Sequence, residues 1–255
     1  MRDVLNLQQG IIYGPVQSRR LGLSLGINIM PGAYKICPFN CVYCQYGGSR
    51  FCTRHLDPYI DDLPSPEEVE DALTSTLQSG VTADYLTFSG NGESSIHPGF
   101  PEMVERIVRI RDRYLPEAKT CILSNAVGVL EESVCEALNK LDVPIMKLDA
   151  GDEKTFRAIN KPCEGLCFED LLDGFHRLQS FLTQTLFVEG VVENVSRTKR
   201  ECWIARLAEL KPECAQIYSL DRPTASSGLT GVSIERLRKI ALETTEQTGI
   251  PVKVY

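Results

Sequence analysis

The sequence predicts an α/β protein with a parallel sheet, and its patterning, composition and length all indicate this class. Segments typical of strands and of helices alternate about six times, which implies parallel strands joined by right-handed crossovers. The composition is that of a globular protein with a sizeable core, 43% hydrophobic and 24% charged. A length of 255 residues fits one large domain or two small ones, and barrels of this length are commonly single domains. An open doubly wound sheet and a full or partial barrel both satisfy this pattern.

The predicted elements follow one another in a regular order. Residues 1–23 mix turn residues with an arginine pair and are predicted as a short N-terminal extension, ahead of a single domain over 24–255. Ser24 begins the first strand, which ends before Pro31 and Gly32. Ser65, Pro66 and Glu68 form a helix start with a capping box, and Gly80 ends that helix. Further strands are predicted at 85–89, 120–124, 145–149, 186–190, 215–220 and 252–254, with helices within 99–114, 131–141, 168–181, 198–210 and 233–248.

Charge and hydropathy narrow the class of protein. The formal net charge of −7 argues against a broad face for nucleic acid or for an anionic membrane. The N-terminus lacks the layout of a signal peptide, and no apolar run reaches membrane-spanning length. These features predict a cytoplasmic protein without a membrane partner. Its ten cysteines then indicate metal ligands and buried thiols rather than a disulfide framework.

The strongest motif is a group of three cysteines, Cys37, Cys41 and Cys44. Thiolates at this spacing can wrap one [4Fe–4S] cubane and leave its fourth iron open to a small molecule. The alternative is a zinc ion with Cys52 or His55 as its fourth ligand. Zinc sites favour two separated pairs of ligands, whereas this triplet is contiguous. The spacing therefore favours iron.

Several polar residues follow predicted strand ends, where ligands gather in parallel α/β folds. Glycines in the turn at 90–93 allow a close backbone approach, and the Glu93 carboxylate suits an ammonium group. Lys147 and Asp149 lie two apart on one strand, so their side chains share a face. They are either site residues or a structural ion pair, which could also involve Arg157 or Arg222. The strand-end set is Gly90, Asn91, Gly92, Glu93, Ser124, Asn125, Lys147, Asp149 and Arg222.

These motifs together resemble the radical S-adenosylmethionine (SAM) superfamily. Its cysteine motif carries an aromatic residue before the last cysteine, here Tyr43. The segments at 14–22, 88–93, 147–151 and 159–162 are similar to its small Fe–S oxidoreductase branch, which is related to the tRNA wybutosine-synthesis enzyme. This resemblance implies a partial (β/α)6 TIM-type barrel. Ser94 stands where the family usually has proline after the glutamate.

The resemblance also implies roles for individual residues. The turn at 90–93, with Glu93, would contact the amino group of SAM, and Ser124 and Asn125 its ribose. Tyr43 and Glu189 would lie on the adenine side. Lys147, Asp149 and Arg222 are candidates for catalysis or substrate binding, and the lysine amine could form a Schiff base with a carbonyl substrate. Arg19 and Arg20 could contact a phosphate or carboxylate, although such pairs are more often solvated or paired within the fold.

The expected activity is reductive cleavage of SAM to a 5′-deoxyadenosyl radical that abstracts hydrogen from a substrate. A flavodoxin or ferredoxin would supply the electron. The substrate stays open among a small molecule, a peptide and a tRNA base or nucleoside. An iron–sulfur electron carrier or sensor that never cleaves SAM is the alternative class. Loop thiols Cys52, Cys163 and Cys167 leave open an auxiliary cluster.

Overall fold

A computed structural model describes residues 4–221, 224 and 226–255. Within these residues the chain forms ten strands and seven α-helices. The strands are β1 Ile12–Ser18, β2 Gly22–Ile27, β3 Tyr85–Phe88, β4 Lys119–Ser124, β5 Val143–Lys147, β6 Leu182–Leu186, β7 Val188–Gly190, β8 Cys214–Tyr218, β9 Leu229–Gly231 and β10 Val252–Val254. The helices are α1 Pro66–Gln78, α2 Phe100–Tyr114, α3 Glu132–Leu138, α4 Glu153–Asn160, α5 Phe168–Phe175, α6 Arg197–Leu210 and α7 Ile234–Thr248.

One eight-stranded sheet organises the chain, in the order β1-β2-β3-β4-β5-β6-β8-β10. Every neighbouring pair from β2 to β10 is parallel, and only β1 pairs antiparallel, with β2. Each parallel strand is followed by at least one helix before the next strand of the sheet. The α/β fold with alternating parallel strands is therefore confirmed, and the sheet's two edges are not paired with each other in this order.

Helix α1 shows how local sequence positions an element. The Ser65 side chain accepts a hydrogen bond from the Glu68 amide, and the Glu68 carboxylate accepts one from the Ser65 amide. This reciprocal capping satisfies two amides at the helix start that lack an intrahelical partner. Val69, Leu73 and Leu77 then recur on one face, which is buried against the sheet layer.

Four observed elements differ from the predicted ones. The segment 12–18 pairs with β2, although Gly14 and Pro15 within it are turn residues; the pairing register shifts between Tyr13 and Val16 to accommodate them. The 145–149 strand is observed as β5, two residues earlier. The predicted strand at 186–190 divides into the end of β6 and the short β7, which pairs with β9 in a separate ribbon. Helix α4 occupies a stretch for which no element was predicted.

The two faces of the sheet differ in chemistry. Alternate residues on the outer face pack under the helices in one large core that includes Phe88, Ile122 and Met146. The inner face carries a small apolar cluster around Leu21, Cys121 and Ile145. Polar residues also lie on the inner face and include Ser24, Thr87, Lys147, Gln184, Gln216 and Tyr218. Buried polar side chains are uncommon in a structural core and are typical of binding sites.

Among the described residues, no helix is long and apolar enough to cross a membrane.

Candidate functional site

The cysteine loop follows β2 and is held against the neighbouring strand-end turn. Ile36 forms parallel bridges with Phe51 and with Gly92. A Cβ at Gly92 would lie 1.9 Å from the Ile36 carbonyl oxygen, and Gly92 has a φ of +149°. Only glycine permits this approach of the two backbones. The glycine of the 90–93 turn therefore brings that turn against the cysteine loop.

Backbone hydrogen bonds fix the other side of the loop to the end of α4. The Asn40 amide donates to the Asn160 carbonyl at 3.0 Å, and the Val42 amide donates to the Ile159 carbonyl at 3.0 Å. The Cys163 amide donates to the Pro38 carbonyl at 2.7 Å. The loop is thus ordered by two segments that lie far from it in sequence.

Each of the three cysteine sulfurs accepts a hydrogen bond from a side-chain N–H group. Lys35 Nζ donates to Cys44 Sγ at 3.0 Å. Asn125 Nδ2 donates to Cys37 Sγ at 3.6 Å, and Asn160 Nδ2 donates to Cys41 Sγ at 3.5 Å. Hydrogen bonds to cysteine sulfur are a principal means by which proteins tune iron–sulfur clusters. The donor set therefore fits a group held by thiolates.

Lys35 places a buried positive charge beside the thiols. It is only 5% exposed, and its second acceptor is the Gly47 carbonyl at 2.9 Å. Burial alone would lower the pKa of Lys35, but the three cysteines together raise it above its usual value. Burial raises the pKa of the Cys41 thiol to about 12 and raises that of Cys37 as well. Binding an electrophilic metal centre would deprotonate these thiols, and the lysine charge would compensate the resulting negative charge.

Glu93 joins the ends of β3 and β4. Its Oε1 accepts from the Ser95 amide at 3.1 Å and from the hydroxyls of Ser95 and Ser124, both at 2.7 Å. Its Oε2 accepts from the Asn125 amide at 2.5 Å. Burial raises the pKa of Glu93, and these hydrogen bonds oppose that rise. The predicted trio of Glu93, Ser124 and Asn125 is therefore brought together within hydrogen-bond distance.

The side chain of Asn91 is turned toward the N-terminal segment. Its Nδ2 donates to the carbonyls of Gln8 and Pro31, and its Oδ1 accepts from the Gln8 amide at 2.8 Å. The Asn91 amide in turn donates to Asn28 Oδ1 at 3.0 Å, directly beside Gly90. Asn91 thus anchors the turn at 90–93 and the chain ahead of β1.

Asp149 is the centre of a second polar group. Its Oδ1 accepts from the Leu186 amide at 2.8 Å and lies 3.0 Å from Lys147 Nζ. Its Oδ2 accepts from the Tyr43 hydroxyl and from Asn160 Nδ2. Asn160 Nδ2 also donates to Cys41 Sγ, so hydrogen bonds connect this polar group to the cysteine loop. Lys147 and Asp149 are therefore both site neighbours and an ion pair.

Glu189, which was predicted on the adenine side, lies outside the main sheet. Glu189 is half-exposed on β7, where it pairs with Arg236 of α7. Its location in a two-stranded ribbon, rather than in the core strand that was expected, explains how its charge is tolerated. Arg222 lies outside the described residues. Across residues 4–221, 224 and 226–255, no three His, Cys, Asp or Glu side chains converge as a single metal ion requires.

Lys35 and Asn160 are site residues that the sequence reasoning missed. Lys35 lies two positions before Cys37, and a lysine so near a metal motif is a usable signal. Asn160 lies in the family-like segment at 159–162, but no role was predicted for it because its approach to Cys41 depends on tertiary structure.

Comparison with known proteins places this site in a family. The model of the radical SAM superfamily matches residues 33–191, which include the cysteine loop and the turn at 90–93. The UPF0026 protein MJ1312 of Methanocaldococcus jannaschii is 30% identical over 237 residues, covering 90% of this chain and 70% of the relative. A protein named GTPase Obg from Brachyspira hyodysenteriae is 28% identical over 231 residues. The match spans 89% of this chain but only 32% of that relative.

Solved structures share the fold at low sequence identity. A radical SAM methyltransferase from Sphaerobacter thermophilus has a TM-score of 0.64 at 14% identity, covering 91% of this chain and 65% of that one. The structure of TYW1 with a lysine–pyruvate adduct bound has a TM-score of 0.55 at 15% identity, covering 88% and 74%. These likenesses confirm the TIM-type partial-barrel class. The chain belongs to the radical SAM superfamily, whose enzymes use a [4Fe–4S] cluster and SAM.

Proposed function

We propose that Cys37, Cys41 and Cys44 hold a [4Fe–4S] cluster with one iron open to SAM, and that this enzyme uses it for radical chemistry. The observation that carries the proposal is the N–H donor supplied to each of the three sulfurs. When bound, the reduced cluster supplies the electron that cleaves SAM to methionine and a 5′-deoxyadenosyl radical.

The chain's own residues bind and orient SAM. Backbone groups of Gly90, Asn91 and Gly92 stand beside the cysteine loop, and the Glu93 carboxylate offers an acceptor for an ammonium group. Ser124 and Asn125 share that carboxylate, so one hydrogen-bonded unit presents the polar groups predicted for SAM. Tyr43 and Glu189 are proposed on the adenine side. The buried position of Cys37 and Glu93 excludes water from this part of the site.

The test is anaerobic reconstitution with iron and sulfide, followed by dithionite and SAM. The wild-type chain should bind close to four irons and produce 5′-deoxyadenosine. Cys41→Ala should lose both the cluster and the cleavage because only two of the three thiolates of the motif would remain. Cys167→Ala, a thiol outside the loop, is the matched control and should retain both.

Two outcomes separate the alternatives. Four irons without any 5′-deoxyadenosine would indicate an electron carrier or sensor. Zinc in the anaerobically purified protein would remove the cluster assignment altogether. A flavodoxin or ferredoxin is the proposed physiological reductant in the cytoplasm, and replacing dithionite with a reduced flavodoxin tests that part of the proposal.

The substrate is proposed to be small or to be delivered by a partner chain. The net charge of −7 disfavours a large RNA footprint. Modification of a tRNA base or nucleoside is retained only as the alternative suggested by the likeness to the wybutosine-synthesis enzyme.

A further inference from the structure

Two positively charged side chains share one aromatic ring on the inner side of the sheet. The Arg20 guanidinium carbon lies 4.5 Å from the centroid of the Tyr218 ring. Lys147 Nζ lies 5.0 Å from the same centroid and 5.0 Å from that of Tyr43. The order Arg20, Tyr218, Lys147, Tyr43 therefore forms a continuous row that ends next to Cys44.

The row spans the gap between the two edges of the sheet, which do not pair with each other in the strand order. Arg20 belongs to the turn between β1 and β2 at one edge, whereas Tyr218 ends β8 near the other edge. Arg19 also crosses this gap and pairs with Asp221. A substrate that enters between the edges would meet Arg20 first and Lys147 deeper inside.

The charges along the row are not balanced. Arg19 has Asp221 as its partner, but within the described part of the chain no carboxylate pairs with the half-buried Arg20. Asp149 is the carboxylate next to Lys147, and its oxygens are shared among four donors. Two cations and one anion leave a local excess of one positive charge in a protein whose net charge is −7.

Lys147 retains donor capacity. Its ammonium contacts Asp149 at 3.0 Å and the Tyr218 hydroxyl at 3.2 Å, which uses two of its three N–H groups. The Tyr218 hydroxyl donates a hydrogen bond to Gln184 Oε1 at 3.3 Å. The oxygen of that hydroxyl therefore accepts the hydrogen bond from Lys147. The lysine side chain is 15% exposed, and its third N–H is available to a ligand.

We propose that Arg20 and Lys147, which both lie within 5.0 Å of the centre of the Tyr218 ring, form a subsite for an oxyanion of the substrate, a carboxylate or a phosphate. This inference rests on the proposed function and names the substrate class of the same site. Guanidinium and ammonium groups are the usual partners of such anions. The row places the anion beside Tyr43, so the neighbouring part of the substrate would face the SAM-binding turn.

The ion pair with Asp149 also argues against a nucleophilic role for Lys147. Burial alone would lower the pKa of Lys147, but Asp149 and Tyr218 raise it above its usual value. A protonated ammonium binds anions and does not attack a carbonyl. The Schiff-base hypothesis and the oxyanion subsite therefore make opposite predictions.

The experiment measures oxyanion binding to the reconstituted protein by calorimetry, without reductant, at constant ionic strength set with chloride. The probes are inorganic phosphate and succinate. Wild-type protein should bind at least one of them, and Arg20→Gln should weaken that binding roughly tenfold, as expected for a lost charge-assisted hydrogen bond. Arg20→Lys should bind the probes more tightly than Arg20→Gln, because it retains the positive charge. Arg19→Gln is the matched control, and its affinity should stay within about twofold of wild type because Arg19 is already paired.

Preference for phosphate over succinate would assign a phosphorylated substrate, and the reverse would assign a carboxylic acid; either result supports the subsite. Three results would overturn it: no binding of either probe beyond chloride, equal binding by Arg20→Gln, or reductive trapping of pyruvate on Lys147 by borohydride. Oxyanion binding is measured without reductant and does not depend on SAM cleavage. A wild-type protein that fails to cleave SAM would therefore refute the proposed function without changing the binding result.

Discussion

At the scale of single residues, the chemistry of the site depends on side chains that no cysteine motif includes. Lys35, Asn125 and Asn160 each donate to a different sulfur, and only Asn125 was predicted as a site residue. The cysteine triplet was predictable because its spacing is local. The donors to Cys37 and Cys41 were less accessible because they come from β4 and α4, and their approach depends on packing.

Lys35 should raise the reduction potential of the bound cluster, since a nearby positive charge favours the more negative, reduced state. Lys35→Gln should lower the potential by on the order of 100 mV, the size expected for one charge a few Å away at an effective dielectric constant near 20. Redox titration followed by electron paramagnetic resonance measures the change. Lys239→Gln, on the exposed face of α7, should leave the potential unaltered. An equal potential in Lys35→Gln and wild type would contradict the assignment.

At the scale of secondary structure, caps and periodicity were read correctly where they are local. Helix α1 was predicted from Ser65, Pro66 and Glu68, and the capping box is present. Strand β1 was missed because its edge pairing tolerates residues that normally mark turns. The strand predicted at 186–190 covers β7 but only the last residue of β6, because the break between them at Phe187 leaves no polar or glycine signal in the sequence.

Glu93 joins two strand ends, and its removal should affect stability as well as the site. Glu93→Gln keeps the shape but replaces one carboxylate oxygen with a donor that faces other donors, the Asn125 amide or the Ser95 and Ser124 hydroxyls. We expect the free energy of unfolding to fall by about 2 kcal/mol, in the range for hydrogen bonds to a charged group. Urea denaturation measures this change.

Glu102→Gln provides the control for that measurement. Glu102 is exposed on α2 and pairs with Arg106 at 2.6 Å, four residues along the same helix. Such pairs contribute little, so the free energy of unfolding should change by less than about 0.5 kcal/mol. A similar loss in both variants would show that Glu93 does not act as the junction between β3 and β4.

At the scale of the whole molecule, a buried histidine should make stability depend on pH. His97 is 4% exposed; its Nδ1 accepts from the Gly99 amide, and its Nε2 has no hydrogen-bond partner among the described residues. Burial lowers the pKa of His97 to about 4, and the nearby Pro64 carbonyl opposes this less strongly. The unfolded chain, with a pKa near 6.5 at this residue, therefore binds its proton first as the pH falls.

Because the unfolded state binds this proton first, the folded state loses stability as the pH falls. Above pH 6.5 both states are neutral at His97, and between about pH 6.5 and 4 only the unfolded state gains the proton. The free energy of unfolding should fall across this window by up to about 3 kcal/mol. His97→Gln should flatten this part of the urea-denaturation profile, whereas exposed His55→Gln should not. A profile that keeps its slope in His97→Gln would refute the assignment.

The parallel α/β class could be predicted at this scale because each strand–helix unit carries its own signal. How the sheet closes could not be read from those signals, since an open sheet and a barrel share the same alternation. Contacts such as Arg20 on Tyr218 connect positions about two hundred residues apart, and nothing local in either segment indicates them.

The hydrogen bonds from the cysteine loop to the end of α4 have a consequence for biosynthesis. Asn40, Val42 and Pro38 take their partners from residues 159–163, more than a hundred positions later in the chain. During translation the three thiols therefore emerge long before their frame exists. A cluster can be inserted into the fully framed loop only after the β5–α4 unit has been synthesised. We therefore expect the cofactor site to mature late relative to synthesis of its cysteines.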